Sequence, residues 1–328
     1  MEYKKIGNTG IKVSSLCFGT MSFGGEADES TSKAMFYRCR DKGINFFDCA
    51  DIYNGGTSEK ILGKLISDCR DKIIITSKVY FAPKNADMNA KGANRKHIML
   101  SIEKSLKRLQ TDYIDFYFIH HFDENAPLDK TLRALDDLVR SGKILFPAVS
   151  NFAAWQIAKS LGISAKDSLA RFECIQPMYN LVKRQAEVEI FPLALSENLG
   201  VITYSPLGAG LLTGKYSSVK NPQKGRLVEN NKYGIRYGNE WMMKTAFDFS
   251  NYANKHGFNP VSMAIAWVAS HPAVTAPIIG ARNVNQLDDS INSLQIKIDS
   301  EIRDRISSFS REPQPATDRN EELVSSNY

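Results

Sequence analysis

Four polar residues stand at or just past the ends of apolar runs. Asp48 follows "NFF", Tyr53 lies in the segment after it, Lys78 closes "IIITSK", and His120 closes "YIDFYFIH". A free phenol has a pKa of about 10 and is a poor acid at neutral pH. An ammonium beside it favours phenolate and lowers that pKa, so Lys78 is expected to activate Tyr53. An unpaired ammonium is costly in a dry site, so Asp48 is expected to hold Lys78 charged and oriented. His120 could hydrogen-bond a carbonyl oxygen near the tyrosine hydroxyl. Together the four make a general-acid system for reducing a carbonyl. No cysteine/histidine pair has metal-ligand spacing, so no metal is expected. His121 lies one residue too far to share the role of His120. It lines a pocket or is solvated, and the sequence favours neither.

These residues need elements that bring them together. "YKKI" and "IKV" flank the turn signal "GNTG" and read as a hairpin over the first thirteen residues. Strand candidates then recur at 14–20, 45–50, 73–79, 113–120, 147–151, 174–180, 201–207 and 276–281. Between them lie helical patterns. Ile98, Ile102, Leu106 and Leu109 share one face, as do Leu132, Leu135, Leu138 and Val139. Eight strands alternating with helices predict an α/β fold, a (β/α)8 TIM barrel with an N-terminal hairpin. An open doubly wound sheet is the alternative. "FGTMSFGG" lacks the G-x-G-x-x-G spacing which that fold would want. The surplus length goes to the hairpin, to a Gly/Asn-rich segment from Gly208 to about Glu240 after the seventh barrel strand, and to a polar tail over about 311–328. The chain, 1–328, is expected to be a single barrel domain.

Composition narrows the function. The sequence is 43% apolar, enough for a sizeable core, and its net charge is +6 without a basic block, which argues against nucleic acid. No apolar stretch approaches the roughly 20 residues of a membrane span. "MEYKKIGNTG" lacks an apolar signal core. Five cysteines without C-x-x-C spacing read as reduced thiols, so a cytoplasmic location is expected.

In a (β/α)8 barrel the C-terminal strand ends share one mouth, where chemistry sits. Ser150 and Asn151 end the fifth strand, Gln176 the sixth, Tyr204 and Ser205 the seventh, and Gly280, Ala281 and Arg282 the eighth. A capping or solvated role explains any one of these. It does not readily explain polar groups at every strand end.

The chain resembles the aldo-keto reductase family over nearly its whole length. The motifs are "FFDCADIYNGGTSEKILG" (46–63), "ITSKV" (75–79), "YIDFYFIHHFDE" (113–124), "VSNF" (149–152), "IQPMYNL" (175–181), "YSPLGAGLLTGKY" (204–216) and "PIIGARNVNQLDDSI" (277–291). Length and loops look closer to the bacterial branch and the potassium-channel beta subunits than to aldose reductase. The resemblance implies a barrel using NADPH without metal or flavin, with a catalytic tetrad on Asp48, Tyr53, Lys78 and His120. It puts nicotinamide contacts on Ser150, Asn151 and Gln176, a stacking ring on Tyr204, and a pyrophosphate cover over 205–215. Gly19, Thr20, Asp48, Ser205, Pro206, Leu207, Gly208, Gly210, Leu212, Lys215, Gly280 and Ala281 complete the implied cofactor contacts. Pro147 and Ala148 stand where the family often has Gly before "VSNF". Two cations of the aldose-reductase-like branch are absent, their positions held by Gly280 and Gln286. Arg282 remains for a 2′-phosphate near a helix start. Gln286 and Asp289 could contact adenine or ribose, and Asp289 could favour the free 2′-hydroxyl of NADH. NADP(H) is expected, with NAD(H) second.

Two functions follow. One is NADPH-dependent reduction of an aldehyde or ketone with a tyrosine general acid. The other is a cofactor-binding subunit that senses nicotinamide redox state for a partner protein. The lack of a long N-terminal extension favours the enzyme. Its partner would be a small-molecule carbonyl, in a pocket expected from Met21, Phe23, Tyr80, His121, Phe122, Phe152 and Trp241. The sequence leaves the oligomeric state open.

Overall fold

The computed structural model describes residues 1–83, 86–216 and 225–319. Strands β1 (Tyr3–Lys5) and β2 (Lys12–Ser14) form the expected antiparallel hairpin. The barrel strands are β3 (Cys17–Gly19), β4 (Phe46–Asp48), β5 (Ile74–Val79), β6 (Ile114–Ile119), β7 (Ile144–Ser150), β8 (Cys174–Gln176), β9 (Gly200–Thr203) and β10 (Ala276–Ile279). All pair in parallel, and β10 returns to β3, so the sheet closes as a (β/α)8 barrel.

Burial on both faces explains the apolar runs. In β6, Phe116 and Phe118 join Cys17, Phe46, Ala148, Cys174 and Ile202 as the filling of the barrel. Tyr117 and Ile119 belong to the larger cluster shared with the helices. Ile6 and Val13 of the hairpin join the barrel filling. A Cβ at Gly200, which opens β9, would lie 2.2 Å from Ile6, so the hairpin plugs the end opposite the mouth. The helix Arg95–Leu109 is capped by Asn94, which accepts from the His97 N–H, and buries Ile98, Ile102 and Leu109. The helix Leu128–Arg140 buries Leu132, Leu135 and Leu138. Each such side chain contributes about 1.5–3 kcal/mol relative to exposure.

The structure differs from the sequence reading at several bounds: β3, β8 and β9 are shorter than the expected 14–20, 174–180 and 201–207. Two further differences concern β7 and the segment after β9. β7 begins at Ile144, before Pro147, not at it. Proline lacks an N–H and normally stays out of central strands. Here the Pro147 carbonyl accepts from Glu173 N (3.1 Å), and the neighbouring strand begins only at Cys174, so the ladder loses nothing on that side. The segment after β9 contains short helices at Arg226–Glu229 and Asn231–Tyr237, and Trp241 lies in the helix Glu240–Lys255 and not in a loop. Part of that segment, 217–224, and the tail from 320 lie outside the described residues. Among the described residues, no helix is long and apolar enough to cross a membrane.

Candidate active site

The strand periodicity places the chemistry. Asp48 pairs in register with Thr76, and Lys78 with Phe118, so the side chains alternate into the mouth. Lys78 is wholly buried. Its ammonium donates to Asp48 Oδ1 and Oδ2 (both 2.7 Å), to the Cys49 carbonyl (2.6 Å) and to the Tyr53 hydroxyl (3.4 Å). Asp48 Oδ1 also accepts from Thr76 Oγ1 (2.6 Å) and Gln176 Nε2 (2.8 Å). His120 crosses Tyr53 edge to face with ring centroids 6.2 Å apart. The structure thus brings the four expected residues together.

Electrostatics correct one expectation. Burial pushes the Tyr53 phenol up to about 12; Lys78 pulls it down, but Asp48 and Cys49 push it up again. The expected lowering by Lys78 is real but smaller than the desolvation. Tyr53 therefore keeps its proton at neutral pH. Burial also pulls Lys78 down, but Asp48 and the Tyr53 hydroxyl outweigh it, and the ammonium stays charged. His120 is held down to about 3 by burial, then by Lys78 and His121, so its ring is neutral. Its Nδ1 is buried without a hydrogen-bond partner among the described residues.

A second layer holds Tyr53. After β4 the chain turns through Asn54, Gly55 and Gly56, all at positive φ (49°, 63° and 87°). Glycines suit such a turn because they lack a Cβ. Asn54 Nδ2 donates to the Met21 and Phe23 carbonyls (2.9 and 2.8 Å), tying this turn to the one after β3. Behind it, the fully buried Glu59 accepts from Ser77 Oγ and Arg108 Nε (both 2.6 Å). Asp51 sits nearby with Oδ1 unpartnered among the described residues. Burial, then Glu59, raises its carboxyl to about 7.

The mouth opens into a cavity of about 920 Å³ that runs from Tyr53 and His120, past Tyr204, to Arg282, Gln286 and Asp289. That is within the usual size of a ligand pocket, about 300–1,000 Å³. At the catalytic end, Ser150 Oγ donates to the Gln176 carbonyl (2.9 Å), and Asn151 Nδ2 to the His120 carbonyl (2.9 Å). Tyr204 donates to Asn151 Oδ1 (2.7 Å). Midway, Leu207 (φ −94°, ψ 5°) is followed by Gly208 at φ 55°. The Gly208 N–H donates to the Ser205 carbonyl (3.0 Å) and the Gly210 N–H to the Leu207 carbonyl (3.0 Å), so these turns close on themselves and bring Lys215 to the cavity wall. Lys215 Nζ lies 2.9 Å from where a Cβ on Gly210 would stand, so glycine lets the ammonium approach the chain. At the far end a Cβ on Gly280 would meet nothing within 4 Å. Arg282 and Gln286 flank the start of the helix Val284–Ile291. Amides, then the Lys215 ammonium, then the Arg282 guanidinium fit the three parts of a nicotinamide dinucleotide.

Other expected residues lie elsewhere. Of the cofactor set, Gly19, Ser205, Pro206, Leu207, Gly210, Lys215, Ala281 and Asp289 line the cavity. Thr20 instead bonds the Asp48 carbonyl and Ser58, and Gly208 and Leu212 are buried beneath the segment. Asp289 Oδ1 accepts from Asn259 Nδ2 (3.0 Å). Of the expected pocket, Met21 and His121 reach the cavity. Phe23 packs on Phe18 in the core, and Phe122 and Phe152 pack edge to face on each other, because loop–loop contacts bury them. Tyr80 packs edge to face on Phe81, and Trp241 carries the Arg311 guanidinium over its ring. The sequence reading missed Phe81, Arg226, Tyr233 and Arg236, which line the cavity. Past a strand end no periodicity marks which side chain faces inward. Glu26, which binds both Arg226 and Arg282, gave no signal either.

Comparison with known proteins agrees with this geometry. The model of the "Aldo/keto reductase family" matches residues 15–311. The chain is 37% identical over 316 residues to "Uncharacterized oxidoreductase YrpG" of Bacillus subtilis, covering 92% of this chain and 94% of that one. It is 33% identical over 303 residues to a "Probable voltage-gated potassium channel subunit beta" of Arabidopsis thaliana, covering 90% and 92%. It is 30% identical over 331 residues to "Versiconal hemiacetal acetate reductase" of Aspergillus parasiticus, covering 92% and 94%. The closed barrel and the family model together establish that the chain belongs to the aldo/keto reductase family of NAD(P)H-dependent oxidoreductases.

Proposed function

We propose that the protein, one barrel domain over 1–328, reduces an aldehyde or ketone to the alcohol with NADPH and with Tyr53 as the acid. The observation that carries this reading is the Asp48–Lys78–Tyr53 chain, in which a buried, paired ammonium lies 3.4 Å from a protonated phenol. Hydride for the carbonyl carbon comes from the nicotinamide when it is bound. Tyr53 then gives its proton to the carbonyl oxygen. An alkoxide is a base of the order of hydroxide, whose conjugate acid has a pKa of about 15.7, so a phenol near 12 still delivers its proton downhill. Lys78 stabilises the phenolate left behind, and Asp48 keeps Lys78 in place. The neutral His120 offers an N–H to the substrate oxygen. Ser150, Asn151 and Gln176 hold the carboxamide end, and Arg282 takes the 2′-phosphate. The pocket side, with Met21 and Phe81, suits an apolar or aromatic carbonyl. The five free cysteines suit a cytoplasmic location. NADPH oxidation with a panel of aldehydes and ketones tests the reading. Alcohol formed in step with NADPH consumed is expected.

A second reading rests on the potassium-channel beta subunits among the relatives. In it the protein binds NADPH and reports its redox state to a partner. Tight NADPH binding with no turnover across the panel would favour this reading.

A further inference from the structure

We infer that Glu26 is a specificity residue that sits in the seat of the 2′-phosphate and sets the balance between NADPH and NADH. The inference rests on the assignment of Arg282 as the 2′-phosphate cation. Glu26 lies in the turn after β3, far in sequence from both its partners. One carboxylate oxygen, Oε1, lies 2.6 Å from Arg282 Nη2, and the other, Oε2, lies 2.6 Å from Arg226 Nη2. Both arginines line the cavity. Side-chain exposures of 39% for Glu26, 38% for Arg282 and 29% for Arg226 leave the triad at the rim, within reach of a ligand.

A carboxylate and a phosphate compete for the same feature of a guanidinium, its paired N–H donors. A 2′-phosphate arriving at Arg282 meets that group already engaged by Glu26. It either displaces the carboxylate or sits beside it, and like charges a few ångströms apart repel. NADH carries a neutral 2′-hydroxyl there and meets neither obstacle. Glu26 therefore opposes NADPH selectively. The second contact adds a consequence. If Glu26 turns away from Arg282, it keeps Arg226 and still holds the segment after β9 to the rim.

The test titrates NADPH and NADH by fluorescence quenching against wild type, Glu26→Gln, Arg226→Gln and Arg282→Ala. Glutamine keeps the size of the side chain and removes its charge. Glu26→Gln is expected to tighten NADPH by about ten-fold, the scale of one charge-assisted hydrogen bond, and to leave NADH within a few-fold. The gain should shrink in high salt, because the triad is partly exposed. Arg226→Gln loosens the same segment but leaves Glu26 on Arg282, so it should not raise the preference for NADPH. Unfolding midpoints near wild type confirm that each variant is folded; if Glu26→Gln fails to fold, Glu26→Ala takes its place. Parallel changes in both cofactors, weaker NADPH binding in Glu26→Gln, or an equal gain in Arg226→Gln would each overturn the inference. Arg282→Ala separates the two levels of the argument. If it weakens NADPH selectively while Glu26→Gln changes nothing, the role of Glu26 fails and the phosphate site stands. If it weakens both cofactors equally, the phosphate site fails and the Glu26 inference with it.

Discussion

Lys78→Met removes the cation from the centre of the site and keeps most of the stem. In the native protein the ammonium is wholly buried and makes bonds of 2.6–2.7 Å to both Asp48 oxygens and the Cys49 carbonyl. Without it, Asp48 is a carboxylate with 2% exposure and no cation, supported only by neutral donors such as Thr76 and Gln176. Breaking a buried pair from one side costs about 3–5 kcal/mol. That is a large share of a typical folding stability of about 5–15 kcal/mol. Asp48→Asn removes the stranded charge. The double variant Asp48→Asn/Lys78→Met should therefore be more stable than the sum of the single effects implies, by about 1–3 kcal/mol of coupling. Activity should not recover with stability. Both variants lacking Lys78 have no cation for the phenolate, and kcat/KM should fall by about 10²–10⁴. In Lys78→Met any residual activity should keep its alkaline limb, where Tyr53 loses its proton, at higher pH, because the lowering influence of Lys78 is gone while Asp48 remains. Urea unfolding of the four proteins at pH 7, with steady-state rates on the same samples, makes the measurement. A Lys78→Met protein as stable as wild type, or a strictly additive cycle, would refute the reasoning.

Three further outcomes follow from the same geometry. Burial holds His120 near 3, below its unfolded value of about 6.5, so the unfolded chain binds more protons between those values and stability falls as pH drops through that window. His120→Gln should flatten the slope of stability between pH 4 and about 6.5, and a slope equal to wild type would exclude His120 as its source. Asp51 runs the other way: its carboxyl, raised to about 7, favours the folded state at low pH and that advantage is lost as pH rises through 7. Asp51→Asn should gain more stability at pH 8 than at pH 5, which chemical denaturation at the two values checks. Leu135→Ala, in the helix Leu128–Arg140, should cost about 2–5 kcal/mol while leaving cofactor affinity unchanged, measured by unfolding and by NADPH titration.

The legible parts of this protein were those with a period. β6 could be read from "IDFYFI" because burial on both faces demands a continuous apolar run, and its end placed His120. Asp48 and Lys78 could be placed because strand ends in a closed barrel share one mouth. What lacked a period stayed hidden. Phe23, Phe122 and Phe152 are as aromatic as Phe81, yet only Phe81 faces the cavity, since loop packing decides it. The Tyr53 phenol went in the opposite direction from that expected, because a sequence names Lys78 as a neighbour but not the depth at which both are buried. Glu26 was silent because its meaning lies in Arg226 and Arg282, partners 200 and more residues away.

Tyr53→Phe tests the central claim most directly. The substitution keeps the ring in its turn and removes the one proton proposed for transfer. Single-turnover mixing of the NADPH complex with an aldehyde that wild type reduces would read the hydride step itself, beside an NADPH titration of each protein. The account predicts unchanged NADPH affinity and a rate lower by about 10²–10⁴. A Tyr53→Phe protein that reduces the aldehyde at close to the wild-type rate would contradict it.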